Sequence, residues 1–272
     1  MKNALTLTMV IGALVCLPAA ATADWIPNNP SDPLNSTNHK MHYPQFVNPG
    51  GWDVKSTDPL VLADDWQCSE TGPVSGIHFW SSSRQDRQFE IQNIHVGIYG
   101  NLDVGAQDNP FPYSIPTDQP LWEQDFVQGQ FLLSPPLLTF MQGWYDPSTG
   151  EDIWPDHSKY YQVNITNIND PFTQDKGQVY WLAISLTLDP PGGQAEVGWT
   201  TSSVTPFMDR PVYRDLTLPG MPWTPARGVP GQSAMGPDLA FVITPEPNAV
   251  VMLVGAGLLG LLASTRRRRH GG

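Results

Sequence analysis

Between Asp24 and Thr244 no stretch keeps an apolar period of 3.6 residues over several turns. Short apolar runs recur instead, each cut off by proline, glycine or a short polar cluster. Proline fixes φ and removes a backbone donor, so a chain punctuated this densely cannot sustain long helices. Short strands joined by turns remain open to it. The strongest signal is Gln178–Leu188. There Val179, Trp181, Ala183, Ser185 and Thr187 alternate with Tyr180, Leu182, Ile184, Leu186 and Leu188. Asp189-Pro190-Pro191-Gly192-Gly193 then ends the run as a turn cluster.

Weaker strand signals lie at Pro59–Ala63, Val74–Ser82, Phe89–Tyr99, Leu121–Val127, Phe131–Leu133, Tyr160–Ile168, Ala195–Thr200 and Leu239–Thr244. In Val74–Ser82, Ile77 and Phe79 share one face, while His78 and Trp80 share the other. Residues 24–59 are rich in Pro, Asn, Ser and Asp and read as an irregular arm with room for one short strand. Tyr43, Phe46 and Trp52 are its candidate anchors. Residues 138–158 read as a Pro/Gly-rich loop. The region between the termini suits one domain. The expected fold is all-β: an antiparallel β-sandwich of jelly-roll type over residues 60–244.

Both ends of the chain carry targeting signals. Lys2 opens a positive segment, Ala4–Leu17 is apolar, and Ala21-Thr22-Ala23 offers a small-x-small cleavage site. Residues 1–23 therefore read as a signal peptide that engages the Sec translocon and leaves Asp24 as the mature N-terminus. At the other end, Pro245-Glu246-Pro247 precedes an uncharged run, Ala249–Ala263, and then Arg266, Arg267, Arg268 and Arg269. Only a helix satisfies its own backbone in hydrocarbon, and a span takes ~17–25 residues, so this run is at the short limit. The arginines would stay cytoplasmic. In this order, residues 245–272 resemble the PEP-CTERM sorting signal of Gram-negative bacteria. The resemblance implies recognition by an exosortase, an inner-membrane-anchored precursor with a single transmembrane helix, and export to the cell surface or matrix.

Charge narrows the partners. Lys2 and the four tail arginines lie outside Asp24–Pro247; within it the nine remaining basic residues face all 26 acids, a formal charge of 9 − 26 = −17. Such a surface repels phosphate backbones and argues against nucleic-acid binding. Without the signal peptide Cys68 is the only cysteine, which excludes an intrachain disulfide and a Cys-rich zinc site. A buried, inert thiol is the simplest reading of Cys68.

A second resemblance covers about Leu60–Thr244. Leu62-Ala63-Asp64-Asp65-Trp66-Gln67-Cys68, Gly72-Pro73-Val74 and Ile77-His78-Phe79-Trp80 open it. Tyr180-Trp181-Leu182, Gly198-Trp199-Thr200-Thr201-Ser202 and Asp238–Thr244 follow in order. This pattern resembles a secreted bacterial β-sandwich domain of uncharacterised function that often accompanies PEP-CTERM tails. One departure is Phe207–Arg214, which lacks the acidic pair followed by an aliphatic residue and Trp.

Few residues suggest chemistry. Asp64 and Asp65, with Glu70, form the best carboxylate cluster, and their hard oxygens would suit calcium. No calcium-loop spacing is present, so a strand-end turn explains them better. The histidines form no His-x-His or His-Glu-x-x-His pattern, and neither a Gly-x-Ser-x-Gly elbow nor a P-loop occurs. His78 reads as a packed, hydrogen-bonded side chain. The expected cofactor is none. Trp80, Trp181 and Trp199 read as core. Trp144, Tyr145 and Trp154, in the expected loop, are candidates for a platform against apolar sugar faces; packing beneath their own loop is the competing reading. The sequence thus points to an exported, non-enzymatic surface or extracellular-matrix protein in contact with exopolysaccharide. The alternative is a glycan hydrolase or lyase on the same fold, which needs two convergent carboxylates or a metal in a cleft.

Overall fold

The computed structural model describes residues 41, 44–166, 168–190, 194–203, 207–226 and 238–244. They form fifteen strands and one 3-10 turn, Arg84–Asp86, with no α-helix among them. The first eight strands are β1 (Trp52–Lys55), β2 (Leu60–Gln67), β3 (Gly72–Pro73), β4 (Gly76–Ser83), β5 (Ile91–Leu102), β6 (Ile115–Val127), β7 (Phe131–Leu133) and β8 (Leu137–Asp146). The rest are β9 (Glu151–Thr166), β10 (Thr173–Gln174), β11 (Val179–Leu188), β12 (Val197–Thr200), β13 (Val212–Asp215), β14 (Thr224–Pro225) and β15 (Phe241–Thr244). Among the described residues no helix is long and apolar enough to cross a membrane. The signal peptide with Ala21 and Ala23, the Pro245-Glu246-Pro247 motif, the run Ala249–Ala263 and Arg266–Arg269 all lie outside the described residues.

The fold is all-β, as the turn punctuation predicts. A six-stranded antiparallel sheet runs β14-β13-β2-β11-β5-β6. Its centre is β11, the best-alternating segment of the sequence, paired with β2 on one side and β5 on the other. Its long outer strand β6 carries Pro116, Pro120, Asp118, Glu123 and Asp125. Proline and charge on an edge discourage pairing with another chain.

The seven-stranded sheet runs β15-β4-β12-β1-β8-β9-β7, and β4 pairs with β9 as well. That extra ladder, Gly76↔Thr166 to Ser81↔Tyr161, closes β4, β12, β1, β8 and β9 into a ring. Strand β9 makes this possible because it is 16 residues long. Its first half pairs with β8 and its second half with β4 and β7. The β1–β8 ladder is parallel; the other ladders between the described strands are antiparallel.

The main core lies between ring and sheet. Phe79 and Trp199 of the ring meet edge-on at 5.9 Å, Trp199 meets Phe241 at 5.7 Å, and Phe241 meets Trp66 of the six-stranded sheet at 6.0 Å. Each such pair is worth about 0.5–1.5 kcal/mol beyond the area it buries. Leu62, Ile98 and Ile184 complete this core from the sheet side. A smaller core covers the sheet's opposite face, with Val61, Ala63, Tyr99, Trp181 and Trp223.

The structure corrects the reading of residues 138–158. They form the β8–β9 hairpin, not a loop, with Trp144 opposite Ile153 and Asp146 opposite Glu151. Only 147–150 turn. Asp146 Oδ1 accepts from Ser148 N at 2.9 Å and Ser148 Oγ at 2.6 Å, and Gly150 takes φ +77°, which favours glycine. The flanking strands lack apolar alternation because one of their faces lines the polar interior of the ring. The one short strand allowed for in the stretch 24–59 is β1, which pairs with β8 and β12.

Candidate functional site

Trp144, Tyr145 and Trp154 are the candidates for a sugar platform, against the competing reading that they pack beneath their own loop, and the hairpin separates them. Trp144 points into the ring and is fully buried, and Tyr145 faces the main core. Neither can present a ring to a ligand, because successive strand residues face inward here on both sides. Trp154 is the one of the three that reaches solvent, at 52% exposure. Its indole sits 5.4 Å from that of Trp52, tilted by 40°. Gly143 lies beneath both rings: a Cβ there would overlap ring carbons of Trp52 and come within 2.7 Å of Trp154. Glycine at this position is what lets the two indoles close over β8. The neighbouring stretch of β8 exposes Leu138, Met141 and a wholly exposed Phe140. These residues fall where the β8–β9 register shifts between Leu138 and Gln142. Exposed apolar clusters of this kind mark contact surfaces.

Inside the ring lies a polar network that the sequence did not reveal. Asp53 of β1, Ser82 of β4, His157 of β9 and Thr200 of β12 are all buried. His157 Nε2 is 2.9 Å from Asp53 Oδ2 and 2.8 Å from Ser82 Oγ, and its Nδ1 is 2.8 Å from Asp156 Oδ2. Thr200 Oγ1 donates to Asp53 Oδ1 at 2.6 Å. Burial opposes a charge on His157, but bonds to Asp53 and Asp156 outweigh it and raise its pKa to about 9. Serine, histidine and aspartate suggest a nucleophilic triad, yet the geometry differs from one. Ser82 and Asp53 share the same ring nitrogen, and an imidazole already protonated at neutral pH cannot take a proton from serine. The network is a buried ion pair that joins four strands of the ring.

The mouth of the ring is charged. Lys55 bridges Asp146 at 3.0 Å and Glu196 at 2.5 Å, while Arg84 reaches Glu196 and Glu151, each at 2.8 Å. The Arg84 guanidinium lies 5.9 Å from the centre of the Trp144 ring. These contacts close the interior on that side.

Asp64 and Asp65 are not in a turn but in β2, where they occupy successive and therefore opposite-facing positions. Asp64 accepts from Leu239 N at 2.5 Å and Asp65 N at 3.1 Å; Asp65 accepts from Asp209 N at 3.3 Å. Asp238, beside them, accepts from Phe207 N at 2.6 Å and from Gln45 Nε2 at 3.3 Å. All three carboxyls are fully buried. Burial, reinforced by repulsion from Asp238, holds Asp64 and Asp65 well above the usual carboxylate range. Burial pushes Asp238 up to about 7, with the bonds from Phe207 and Gln45 opposing it. Among the described residues no group of three His, Cys, Asp or Glu side chains is arranged to hold a metal ion.

Two further sequence readings match the structure. His78 is buried between Asn164 Oδ1 at 2.5 Å and Thr244 Oγ1 at 3.2 Å, and burial lowers its pKa to about 4 despite the Asn164 bond. Cys68 is a buried thiol that donates to the Glu70 carbonyl at 2.9 Å.

No curated protein and no solved structure matches this chain. One family does match, over residues 41–244, and its span begins at Met41, whose bridge to Cys68 is the first described pairing. That span takes in β1 to β15, hence the whole ring, its buried network and the six-stranded sheet. The chain therefore belongs to the family described as domain of unknown function DUF7901.

Proposed function

We propose that this chain is an exported, non-enzymatic cell-surface or extracellular-matrix protein that holds exopolysaccharide. In this reading the two packed layers are a jelly-roll-like sandwich with one layer rolled shut. The protein enters the Sec translocon through residues 1–23. It stays anchored in the inner membrane by the helix after Pro245-Glu246-Pro247, with Arg266–Arg269 in the cytoplasm, and an exosortase then releases it to the surface. The order of motif, apolar run and basic tail supports this route.

The single observation that supports sugar contact is Trp154: an indole half in solvent, seated on Trp52 over Gly143, beside exposed Leu138, Phe140 and Met141. A fixed indole offers a broad apolar face and a polar N–H at little entropic cost. The acidic surface favours uncharged sugar faces over polyanions. The test is retention of the purified full-length protein on the producing organism's insoluble exopolysaccharide, next to Trp154→Ala. Native protein should be retained and the variant retained more weakly, with unchanged thermal stability. Equal retention of both proteins, or none of the native protein, would sink the reading.

A further inference from the structure

The outer face of the six-stranded sheet carries a cleft of about 610 Å³, on a different part of the fold from Trp154. Its volume is within the roughly 300–1,000 Å³ of small-ligand sites. The first wall is the 103–114 segment, which one side chain holds in shape. Buried Asn109 donates to the carbonyls of Leu102, Asp103 and Tyr113 at 2.9, 3.1 and 2.8 Å, and its Oδ1 accepts from Phe111 N at 3.0 Å. Phe111 is thereby stacked on Tyr113, 5.1 Å apart and 13° from parallel, at the edge of the cleft. The second wall is the 216–222 segment. Asp215 Oδ1 accepts from Thr217 N and Oγ1, Leu218 O accepts from Met221 N, and Gly220 takes φ +75°. The floor is Trp223, edge-on to Tyr99 at 5.3 Å and roofed by the Arg214 guanidinium at 4.4 Å.

The walls are fastened by their own side chains, so the cleft is pre-formed. Its polar side chains are Asp108, Asp118, Asp215, Gln119 and Arg214. Arg214 Nη2 donates to Asp118 Oδ1 at 2.7 Å, so its charge is already matched, and Asp108 and Asp215 leave the lining acidic. Such a lining disfavours uronates and phosphates. Pro110, Pro219 and Pro222 lack N–H groups, so the walls offer a poor edge for strand addition by a peptide. An aromatic and aliphatic wall with carboxylate acceptors instead suits a ligand with apolar C–H faces and many hydroxyl donors.

We propose that this cleft is a binding site for a short neutral saccharide segment, with Phe111 as the stacking face, Asp118 and Asp215 as hydroxyl acceptors, and Leu216 and Leu218 as the lip. The proposal rests on the sugar-contact reading above and gives it a defined subsite and a charge preference. The test is calorimetric titration of the purified full-length protein with cellotetraose, xylotetraose and mannotetraose, and with tetragalacturonate as the acidic counterpart. At least one neutral tetraose should bind. Phe111→Ala should weaken it at least tenfold, and Trp154→Ala should leave it unchanged. Leu216→Arg, at an exposed position, should block the lip without touching the core, so it separates loss of the site from loss of the fold. Binding of tetragalacturonate at equal or higher affinity would overturn the proposal. So would a neutral tetraose indifferent to Phe111→Ala and Leu216→Arg, or binding of none. If the native chain stays on the polymer through Trp154 while no tetraose binds, the cleft proposal alone falls. If the chain is not retained on the polymer at all, the wider reading falls, whatever the tetraoses do.

Discussion

Replacing Asp238 with asparagine keeps the size of the side chain and an acceptor for the Phe207 N–H, and removes one of three carboxyls buried together. Burial raises the Asp238 pKa from 3.8 to about 7. A folded-state acid with a raised pKa binds its proton where the unfolded chain has lost it, so stability falls as pH rises from about 4 to about 7. The shift is about three pH units, which corresponds to about 4 kcal/mol in full. The native pH profile by itself would hide this. Burial holds His78 down to about 4, so over much of the same window His78 makes stability rise with pH. The difference between Asp238→Asn and native protein cancels the His78 contribution. Near pH 4 the variant should equal the native protein or fall slightly below it, by the roughly 1–2 kcal/mol that separates charge-assisted from neutral hydrogen bonds. The difference should then climb in favour of the variant by about 4 kcal/mol towards pH 8. For a domain of this size that is a shift in relative Tm of roughly 8–16 °C. Asp64 and Asp65 steepen the climb, because both are also raised by repulsion from Asp238. Urea unfolding followed by tryptophan fluorescence at half-unit pH intervals measures the curve. A difference that is flat, or that moves against the variant as pH rises, would refute the buried-carboxyl argument.

Other outcomes follow from the ring and its surface. His157 has a folded pKa of about 9 against 6.5, so the stability it contributes is complete below pH 6.5 and is lost as pH rises through 9, about 3 kcal/mol in all. His157→Gln should remove that decline and cost about 3–5 kcal/mol at pH 7, since it leaves buried Asp53 without its cation; an unchanged slope between pH 6.5 and 9 would contradict the ion-pair reading. Gly143→Ala should cost about 1–3 kcal/mol by overpacking the Trp52–Trp154 pair and should shift tryptophan emission to the red as Trp154 is displaced. An unshifted spectrum with native stability would mean that the two indoles do not depend on that glycine.

Local pattern alone determined much of this protein. The period-two run Val179–Leu188 became the central strand of the six-stranded sheet, and Trp80, Trp181 and Trp199 became core. Turn chemistry also showed locally: Asp-Pro-Ser-Thr-Gly at 146–150 turns the chain through bonds to Asp146 and a positive φ at Gly150. Strands that line the ring were harder to read. Strands β1 and β8 and the first half of β9 put polar or mixed residues on their inner face, so they lack the apolar alternation that marks a half-buried strand. Asp53, Ser82 and His157 carry no local mark of burial, because nothing nearby in sequence says that the sheet closes over them. The cleft was equally illegible, since Phe111, Asp118, Arg214 and Trp223 come from segments about a hundred residues apart. Strand propensity depends on side-chain alternation along a few residues, which can be read from the chain directly. Ring closure depends on the β4–β9 and β1–β8 ladders, whose partners lie roughly 80–90 residues apart. Backbone hydrogen bonds carry no residue identity, so which strands meet is set by packing across the whole domain, and with that which polar side chains are buried and which tryptophan stays in solvent.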